Sequence, residues 1–345
     1  MSISVDALPI KKLLARIMPN RSIRESIRNA SRFNRLSQDG YFIWGASVIR
    51  DNSGLYHIFA SRWPTDCSFK SWLTASSIVR GTATSPEGPF TIEEEITSLK
   101  GQDWSSKMVH NPTIKKIKDR YYLFYVGTTF GPDAPEIPEV VNEHPARFNQ
   151  RIGVAVADHP SGPWVPSETN PILAPRPEDW DNTFCTNPSI FVKKEDEILL
   201  VYKSRWHDDE RLILGLAKAN DPLGPYIRTG PSPIFQYNIE DPFIWKEGEE
   251  YWMLAKDMSG ELVGKHNGAL FCSRNAMDWQ PADPLLAYNK VIPIGHEQVE
   301  EHPFLERPQL YIEDEKPICI YHAVGDYKNY SFNLARRIDR KEYSQ

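Results

Sequence analysis

The sequence predicts an all-β protein, a single five-bladed β-propeller with a short N-terminal helical arm. Three observations predict this fold. Similar strand openings recur five times between residues 41 and 338, two further β-rich runs follow each opening, and near-identical Gly-Pro turns follow the third run in the first three repeats. Aromatic residues make up 12% of the chain and Pro occurs 28 times, as expected for many short strands joined by turns.

Each repeat begins with an apolar run at the start of a predicted inner strand, and a second run follows after a polar turn. The openings are WGASVI (44–49), HNPTI (110–114), TNPSIF (186–191), EDPFIW (240–245) and ERPQLY (306–311), and the second runs are LYHIFASRW (55–63), YYLFYVGT (121–128), ILLVYKSRW (198–206), YWMLAKDM (251–258) and ICIYHAV (318–324). Five copies of such a meander are typical of a propeller, whereas an open sandwich needs no matching openings.

A third run completes the meander in every repeat. These runs are SSIVRGTAT (76–84), RIGVAVAD (151–158), LILGLAKA (212–219), GALFCSR (268–274) and FNLARRI (332–338). The first three lead into the turns SPEGPF (85–90), HPSGPW (159–164) and DPLGPY (221–226), which suit a chain reversal into a fourth strand.

Residues 1–40 lie outside the repeat and are rich in Lys and Arg, although the whole chain has a net charge of −6. Their basic and apolar residues follow the pattern of one or two short amphipathic helices, interrupted near Pro19. We therefore divide the chain into a basic helical arm, residues 1–40, and a propeller domain that carries the site, residues 41–345. Because the last repeat ends near Ile338, we expect an N-terminal segment to complete the final blade. We also expect the arm to be the contact of a homodimer.

Composition argues against several classes of function. The acidic propeller domain makes nucleic acid an unfavourable partner, and no apolar stretch is long enough for a membrane span. The N-terminus lacks the apolar run of a secretory signal, which favours a cytoplasmic protein, although a processed secreted chain would look the same. The four cysteines form no CxxC pair, so we expect buried free thiols. No motif calls for a metal or a cofactor.

In a propeller the inner strands line the central axis, and neighbouring strands of a blade run in opposite directions. The start of each first strand and the end of each second strand therefore lie on one face. First-strand starts bring Trp44/Gly45, His110/Asn111, Thr186/Asn187, Glu240/Asp241 and Glu306/Arg307 to this face, and second-strand ends bring Arg62/Trp63, Lys203/Arg205/Trp206, Lys256/Asp257 and His322. Such a ring of polar groups is typical of a polar binding site.

The repeat number, the Asn-Pro, Asp-Pro and Glu-x-Pro openings and the Gly-Pro turns resemble the five-bladed glycoside hydrolases of families 43, 32, 68 and 117, over roughly residues 41–338. This resemblance implies a sugar substrate and catalytic carboxylates at the starts of inner strands. It implies that Asp241 of EDPFIW matches the Asp-Pro carboxylate and that Glu306 of ERPQLY matches the acid. The chain departs from the pattern in the first blade, where Gly45 stands in place of an Asp.

The catalytic candidates are Asp241, Glu306, His110 and Asp257. Asp257 is a third carboxylate near the site, and His110 or His302 suits an acid–base role because histidine titrates near neutrality. Relatives of the family 117 type imply a histidine acid. Each carboxylate also has a structural interpretation, since Asp241 can cap a turn, Asp257 can pair with Lys256, and Glu306 can pair with its neighbour in an ion-pair network.

The substrate-binding candidates combine aromatic rings suited to stacking on sugars with amide, histidine and basic side chains. They are Trp44, Arg62, Trp63, Asn111, Asn187, Lys203, Arg205, Lys256, His302, Arg307 and His322. The basic members suggest a substrate with an anionic group, such as a uronic acid or a sulfated sugar. Equally, they can pair with the carboxylates of the site.

These features predict a glycoside hydrolase, exo-acting because a closed funnel suits a chain end. Two alternatives stay open. The first is a lyase in which His110 or a tyrosine is the base and the cations neutralise a uronate. The second is a non-catalytic carbohydrate-binding propeller, which the missing first-blade Asp favours.

Overall fold

The computed structural model describes residues 23–129, 145–230, 233–295 and 297–339. These residues form five four-stranded antiparallel sheets arranged as blades, which confirms the predicted fold class. From the inner strand outward, the first three blades are β2 (Tyr41–Arg50), β3 (Tyr56–Pro64), β4 (Ser77–Ala83) and β5 (Thr91–Glu95); β6 (Met108–Ile117), β7 (Arg120–Thr128), β8 (Arg151–Ala157) and β9 (Val165–Pro166); and β10 (Thr186–Lys194), β11 (Glu197–Ser204), β12 (Ile213–Ala219) and β13 (Ile227–Arg228).

The last two blades follow the same order, with an extra hairpin between them. The fourth blade is β14 (Ile239–Glu247), β15 (Glu250–Asp257), β16 (Gly268–Ser273) and β17 (Gln280–Tyr288); the hairpin is β18 (Val291–Ile294) and β19 (Gln298–Glu301); the fifth blade contains β20 (Phe304–Glu313), β21 (Lys316–Gly325) and β22 (Ser331–Arg337). Three short helices, α1 (Ile23–Ser26), α2 (Trp72–Ala75) and α3 (Pro145–Phe148), and three 3₁₀ turns, Arg32–Asn34, Phe69–Ser71 and Thr97–Leu99, lie outside the sheets.

The N-terminal segment completes the fifth blade, as predicted. Strand β1 (Arg35–Leu36) pairs antiparallel with β22, with Leu36 opposite Asn333. The propeller sheet therefore begins inside the segment assigned to the arm. Of the predicted helices around Pro19, the part within residues 1–22 lies outside the described residues, and the part that follows is the four-residue helix α1. Dimerisation through the arm stays a prediction.

All five inner strands interrupt their pairing with the second strand at the same position, where the register shifts. One residue at each bulge has a left-handed backbone, which Gly, Asn and Asp adopt more readily than other residues. Its φ is 56° at Gly45, 49° at Asn111, 54° at Asn187, 57° at Asp241 and 51° at Arg307. The repeated openings in the sequence are therefore bulges that bend each inner strand near the axis.

The Gly-Pro turns connect the third strand to the outer strand in the first three blades, as predicted. Gly88, Gly162 and Gly224 have φ of 89°, 87° and 94°. Glycine enters this region at little steric cost, which explains why each turn carries it at this position.

The hydrophobic core consists of layers between adjacent blades. Each layer combines residues of two neighbouring blades, as with Phe59 and Leu123, Ile152 and Leu200, Val201 and Met253, Leu254 and Ile320, and Ile58 and Tyr321. Strand β2 contacts both β6 and β20, so the ring of inner strands is closed.

Cys185, Cys272 and Cys319 are buried free thiols, as expected, whereas the free thiol of Cys67 is only partly buried. Among the described residues, no helix has the length and apolar character needed to cross a membrane.

We predict that removing residues 1–36 lowers the melting temperature far more than removing residues 1–22. The longer deletion removes β1 and with it Leu36, which is 4% exposed in the core layer between the fifth and first blades. Losing the packing of a buried Leu costs roughly 2–5 kcal/mol. Differential scanning calorimetry of the two truncated proteins tests this prediction, and equal melting temperatures would contradict the closing role of β1.

Candidate active site

A cavity of about 350 Å³ lies over the starts of the inner strands. Two successive residues of each of four strands and one residue of the first strand supply its floor. The floor residues are Trp44, His110/Asn111, Thr186/Asn187, Glu240/Asp241 and Glu306/Arg307. The residues predicted at first-strand starts therefore meet at one site, except Gly45, which has no side chain to contribute.

Each blade adds a wall residue from the connection between its second and third strands. These residues are Trp72, Arg147, Leu212, Met258 and Tyr327. Because every second strand ends on the cavity face, the connection that follows it must lie there. The prediction from strand ends did not include these five residues. It also did not include Phe69, Lys70, Leu73, Gln150 and Phe184. The unusual length of the connections 65–76 and 129–150 in the sequence indicated that they could contribute residues to the site.

Hydrogen bonds link the bulge residues around the axis. Asn111 Nδ2 donates to Asn187 Oδ1 at 2.8 Å, and Asn187 Nδ2 donates to Asp241 Oδ1 at 2.5 Å. The backbone N–H of Arg307 donates to Asp241 Oδ2 at 3.1 Å. Asp241 therefore receives donors from both neighbouring blades and is held in one orientation.

Gly45 has no side chain in this ring because its neighbours leave no room for one. An ideal Cβ at Gly45 would lie 2.9 Å from Asn111 Oδ1 and 3.5 Å from Arg307 Nε. The Arg307 side chain is 1% exposed, and its Nη1 lies 3.8 Å from Asp241 Oδ1. The first-blade carboxylate that the resemblance implied is thus absent, and Arg307 occupies its surroundings.

A cluster of alternating charges lies on the side of the cavity formed by the fourth and fifth blades. Lys203 Nζ is 2.6 Å from Glu240 Oε2, and Lys256 Nζ is 2.5 Å from Glu240 Oε1. Lys256 Nζ also pairs with Glu306 Oε1, to which the Tyr327 hydroxyl donates. Lys256 is fully buried beneath the cavity. Glu240 was not among the predicted binding or catalytic residues, although its place beside Asp241 at a bulge was a usable signal.

The two glutamates of this cluster differ in their proton affinity. Burial alone would raise the pKa of Glu240, but Lys203 and Lys256 outweigh it and hold the pKa well below its ordinary value. Burial raises the pKa of Glu306 against the opposing effect of Lys256, and the charges of Glu240 and Asp241 raise it further. Burial and the Glu240 charge likewise raise the pKa of Asp241. The cavity thus contains one firmly ionised glutamate and one that retains a proton more readily.

His110 faces the same cavity and is held by residues of the β3–β4 connection of the first blade. Its Nδ1 lies 2.8 Å from Ser76 Oγ, and its ring stacks on Trp72 with 4.7 Å between centroids. Burial, followed by the charges of Arg307 and Lys203, lowers the pKa of His110 well below its ordinary value. The ring is therefore neutral at physiological pH and has a lone pair for proton transfer.

Four predicted binding residues of the second-strand ends, Arg62, Arg205, Lys256 and His322, do not line the cavity. Arg62 donates to Gln38 and Glu95 at 3.0 and 2.8 Å on the other side of its strand, because side chains alternate along β3 and Trp63 takes the cavity side. Arg205 lies beyond the end of β11, outside the lining. Trp206 beside it is 44% exposed.

Three further candidates have structural surroundings instead. Asp257 accepts backbone N–H bonds from Gly260, Leu262 and Val263 and so anchors the connection that carries Met258. His302 lies between Tyr330 and Glu300. His322 is fully buried with its ring 4.4 Å from that of Tyr288, between the fifth and fourth blades.

Two groups of side chains have the composition of a cation site. One oxygen each of Glu240, Asp241 and Glu306 lie within 4.8 Å of one another, but the lysines of the cluster already supply positive charge there. The other group is Asp51, His57 and His159.

The histidines of the second group favour hydrogen bonding over metal binding. Arg80 Nη1 lies 3.1 Å from His57 Nδ1 and can only donate, so Nδ1 accepts and His57 Nε2 carries the hydrogen that points to Asp51. That tautomer offers no lone pair toward a metal.

The sequence matches no protein-family model and no curated protein. The fold is shared with solved glycoside hydrolases. A family 117 glycoside hydrolase of the marine bacterium Zobellia galactanivorans superposes with a TM-score of 0.67 at 16% identity, over 92% of this chain and 91% of that chain. An endo-arabinase of Bacteroides thetaiotaomicron gives 0.58 at 13% identity, over 91% and 99%. An α-L-arabinofuranosidase of Podospora anserina gives 0.62 at 12% identity, over 90% and 95%. The predicted resemblance is confirmed for the fold.

We predict that Gly45→Ala destabilises the protein by about 1–3 kcal/mol more than Gly248→Ala. Both glycines have a left-handed backbone, with φ of 56° and 61°. A Cβ at Gly248 meets nothing within 4 Å, whereas one at Gly45 meets Asn111. The difference in the free energy of unfolding, measured in urea, therefore isolates the crowding at the axis. Equal losses would mean that Arg307 and Asn111 move aside freely.

Proposed function

We propose that this propeller is a glycoside hydrolase that removes a sugar from the end of an oligosaccharide, with Glu306 as the proton donor. One observation carries the proposal: a buried carboxyl group with a raised pKa faces a cavity walled by aromatic rings. Tyr327 and Lys256 both bond to Glu306 Oε1, and Oε2 has no partner among the described residues. Oε2 is therefore the oxygen available to a leaving group.

We assign Asp241 a positioning role beside Glu306. The two carboxyl groups of a glycosidase stand about 5–5.5 Å apart in retaining enzymes and about 6.5–9.5 Å apart in inverting ones. One oxygen each of Asp241 and Glu306 lie within 4.8 Å, which is shorter than the spacing of an inverting pair. Both oxygens of Asp241 already accept hydrogen bonds, from Asn187 and Arg307, which argues against a nucleophilic role. The charge of Asp241 instead helps Glu306 to keep its proton.

His110 is the group best suited to activate the attacking water. It lines the same cavity, it is neutral, and Ser76 and Trp72 fix its ring. A neutral imidazole can accept a proton from water as the oxygen attacks the anomeric carbon. This assignment supplies the base that the first blade lacks at Gly45.

The shape of the cavity supports exo action. Connections from all five blades surround the floor, so a polymer has no open groove through which to pass. Trp44, Phe69 and Trp72 offer rings for stacking on a terminal sugar.

The cations that line the cavity support a substrate bearing an anionic group, uronate or sulfate. The solved enzymes that share the fold include arabinan-cleaving and arabinofuranoside-cleaving proteins, in keeping with hydrolysis of a glycosidic bond.

We predict that Glu306→Gln lowers kcat at least about a hundredfold, because the amide cannot protonate the leaving oxygen. Glu313→Gln is the matched control: it lies at the far end of β20 with Arg50 and should leave kcat unchanged. The measurement is release of reducing ends from a panel of neutral, uronate-containing and sulfated oligosaccharides. Sugar binding that persists without cleavage by the unmodified protein would identify a carbohydrate-binding propeller instead.

A lyase is the second candidate, favoured by the neutral His110 near Arg307 and Lys203. In that reaction His110 removes a proton next to a uronate carboxylate, and Glu306 protonates the leaving oxygen. The product is an unsaturated sugar. Absorbance in the ultraviolet during cleavage separates this reaction from hydrolysis, which produces no such chromophore.

We predict that Tyr327→Phe moves the basic limb of the kcat/KM profile to higher pH. Glu306 must be protonated to act, so activity is present below its pKa and is lost above it. The Tyr327 hydroxyl bonds to Glu306 Oε1 and favours the carboxylate, so its removal raises the pKa of Glu306 further. A limb that stays in place or moves to lower pH would contradict the role of Glu306 as the acid.

A further inference from the structure

The charges around the cavity are unevenly distributed. The carboxylates of Glu240, Asp241 and Glu306 come from the fourth and fifth blades, whereas cationic wall residues come from the first and second. Lys70 lies in the β3–β4 connection and Arg147 lies on α3, before β8. The cavity therefore has a carboxylate side and a cationic side.

The lysines of the carboxylate side are already neutralised. Lys203 pairs with Glu240, and Lys256 pairs with both Glu240 and Glu306. Arg307 has Asp241 at 3.8 Å, and its three guanidinium nitrogens are buried and form no hydrogen bond within the described residues. Neither lysine is free to receive an additional anion without breaking an existing contact.

On the cationic side, no acceptor for these charges lies within the described ranges. Neither Lys70 Nζ nor the guanidinium groups of Arg147 and Arg205 form a hydrogen bond or an ion pair there. Arg147 is half-buried and lines the cavity, and Lys70 lines it and is exposed. Arg205, which follows β11 of the third blade outside the lining, has a buried Nε without a partner among the described residues. A buried donor such as this Nε is costly unless something accepts from it.

Arg147 and Arg205 are also close enough to repel each other. Burial lowers the pKa of Arg147, and the charge of Arg205 lowers it further, against the opposing effect of Glu240 and Glu210. Like charges held together in a partly buried place destabilise the unoccupied site. A bound oxyanion would relieve both this repulsion and the missing hydrogen bonds.

We propose that Arg147 and Lys70, which line the cavity, form an anion subsite for a carboxylate or sulfate group carried by the sugar. A guanidinium presents paired N–H donors that fit either oxyanion. The subsite lies across the cavity from Glu306, so the charged group is held away from the acid and orients the sugar ring toward it. This inference rests on the proposed function for the identity of the ligand as a sugar.

The test measures binding, not cleavage, on a Glu306→Gln background so that no sugar is consumed. Calorimetric titrations compare the methyl glycosides of glucose, galactose and mannose with their uronic acid and 6-sulfated counterparts. Inorganic sulfate alone serves as a further probe of the subsite. We expect at least one charged glycoside to bind about tenfold or more tightly than its neutral counterpart, as charge-assisted hydrogen bonds would give.

Substitutions at the subsite should remove this preference selectively. Arg147→Met should abolish the preference, and Arg147→Lys should retain part of it. Arg120→Met is the matched control, since Arg120 is an exposed arginine of the same blade, paired with Asp158. Charged and neutral glycosides bound equally, with no binding of sulfate, would overturn the subsite. A preference that survives Arg147→Met would overturn it as well.

The same titrations keep this inference separate from the proposed function. Selective binding of charged sugars without any cleavage by the unmodified protein would leave the subsite in place and refute hydrolysis. Cleavage of neutral sugars with no preference for charged ones would support hydrolysis and refute the subsite.

Discussion

The cavity depends on a backbone bulge that each inner strand makes at the same position. In a regular strand only alternate side chains face one side. The left-handed residue of the bulge interrupts this alternation, so two successive side chains of a strand reach the cavity, as Glu240 and Asp241 do. Five such bulges concentrate polar groups around one axis. Without them, half of the floor would point into the layers between the blades.

This constraint limits which residues can occupy the bulge. A non-glycine residue in the left-handed region costs roughly 1–2 kcal/mol. Asn and Asp reduce that cost, and they occupy three of the five positions, at Asn111, Asn187 and Asp241. Arg307 has no such local compensation. Its backbone N–H bond to Asp241 holds this turn in place, so the fifth bulge relies on the fourth.

The positions of the carboxylates in the site also depend on a buried positive charge. Lys256 is fully buried and contacts two carboxylates, one firmly ionised and one with a raised pKa. Removing one member of a buried ion pair typically costs more than the pair contributes. The ammonium group of Lys256 therefore fixes the positions of Glu240 and Glu306 and sets the balance of charge that the site can hold.

The fold and the floor of the site were predictable from the sequence because they repeat. Strand openings at fixed positions identified His110, Asp241 and Glu306 without any knowledge of contacts. The walls were not predictable in the same way, because the connections that carry Trp72 and Arg147 differ in length and sequence between blades. The prediction from second-strand ends was wrong where side chains alternate between the two sides of a strand, because Trp63 faces the cavity and Arg62 beside it does not.

Position 45 has no carboxylate, and the Arg307 side chain lies beside it. These two features are linked. A side chain at residue 45 would meet Asn111 and Arg307, so the first-blade acid and the fifth-blade arginine exclude each other in this arrangement. Burial, followed by the positive charges of Arg307 and Lys203, lowers the pKa of His110 on the neighbouring blade. Arg307 therefore helps to keep neutral the histidine that we propose as the base.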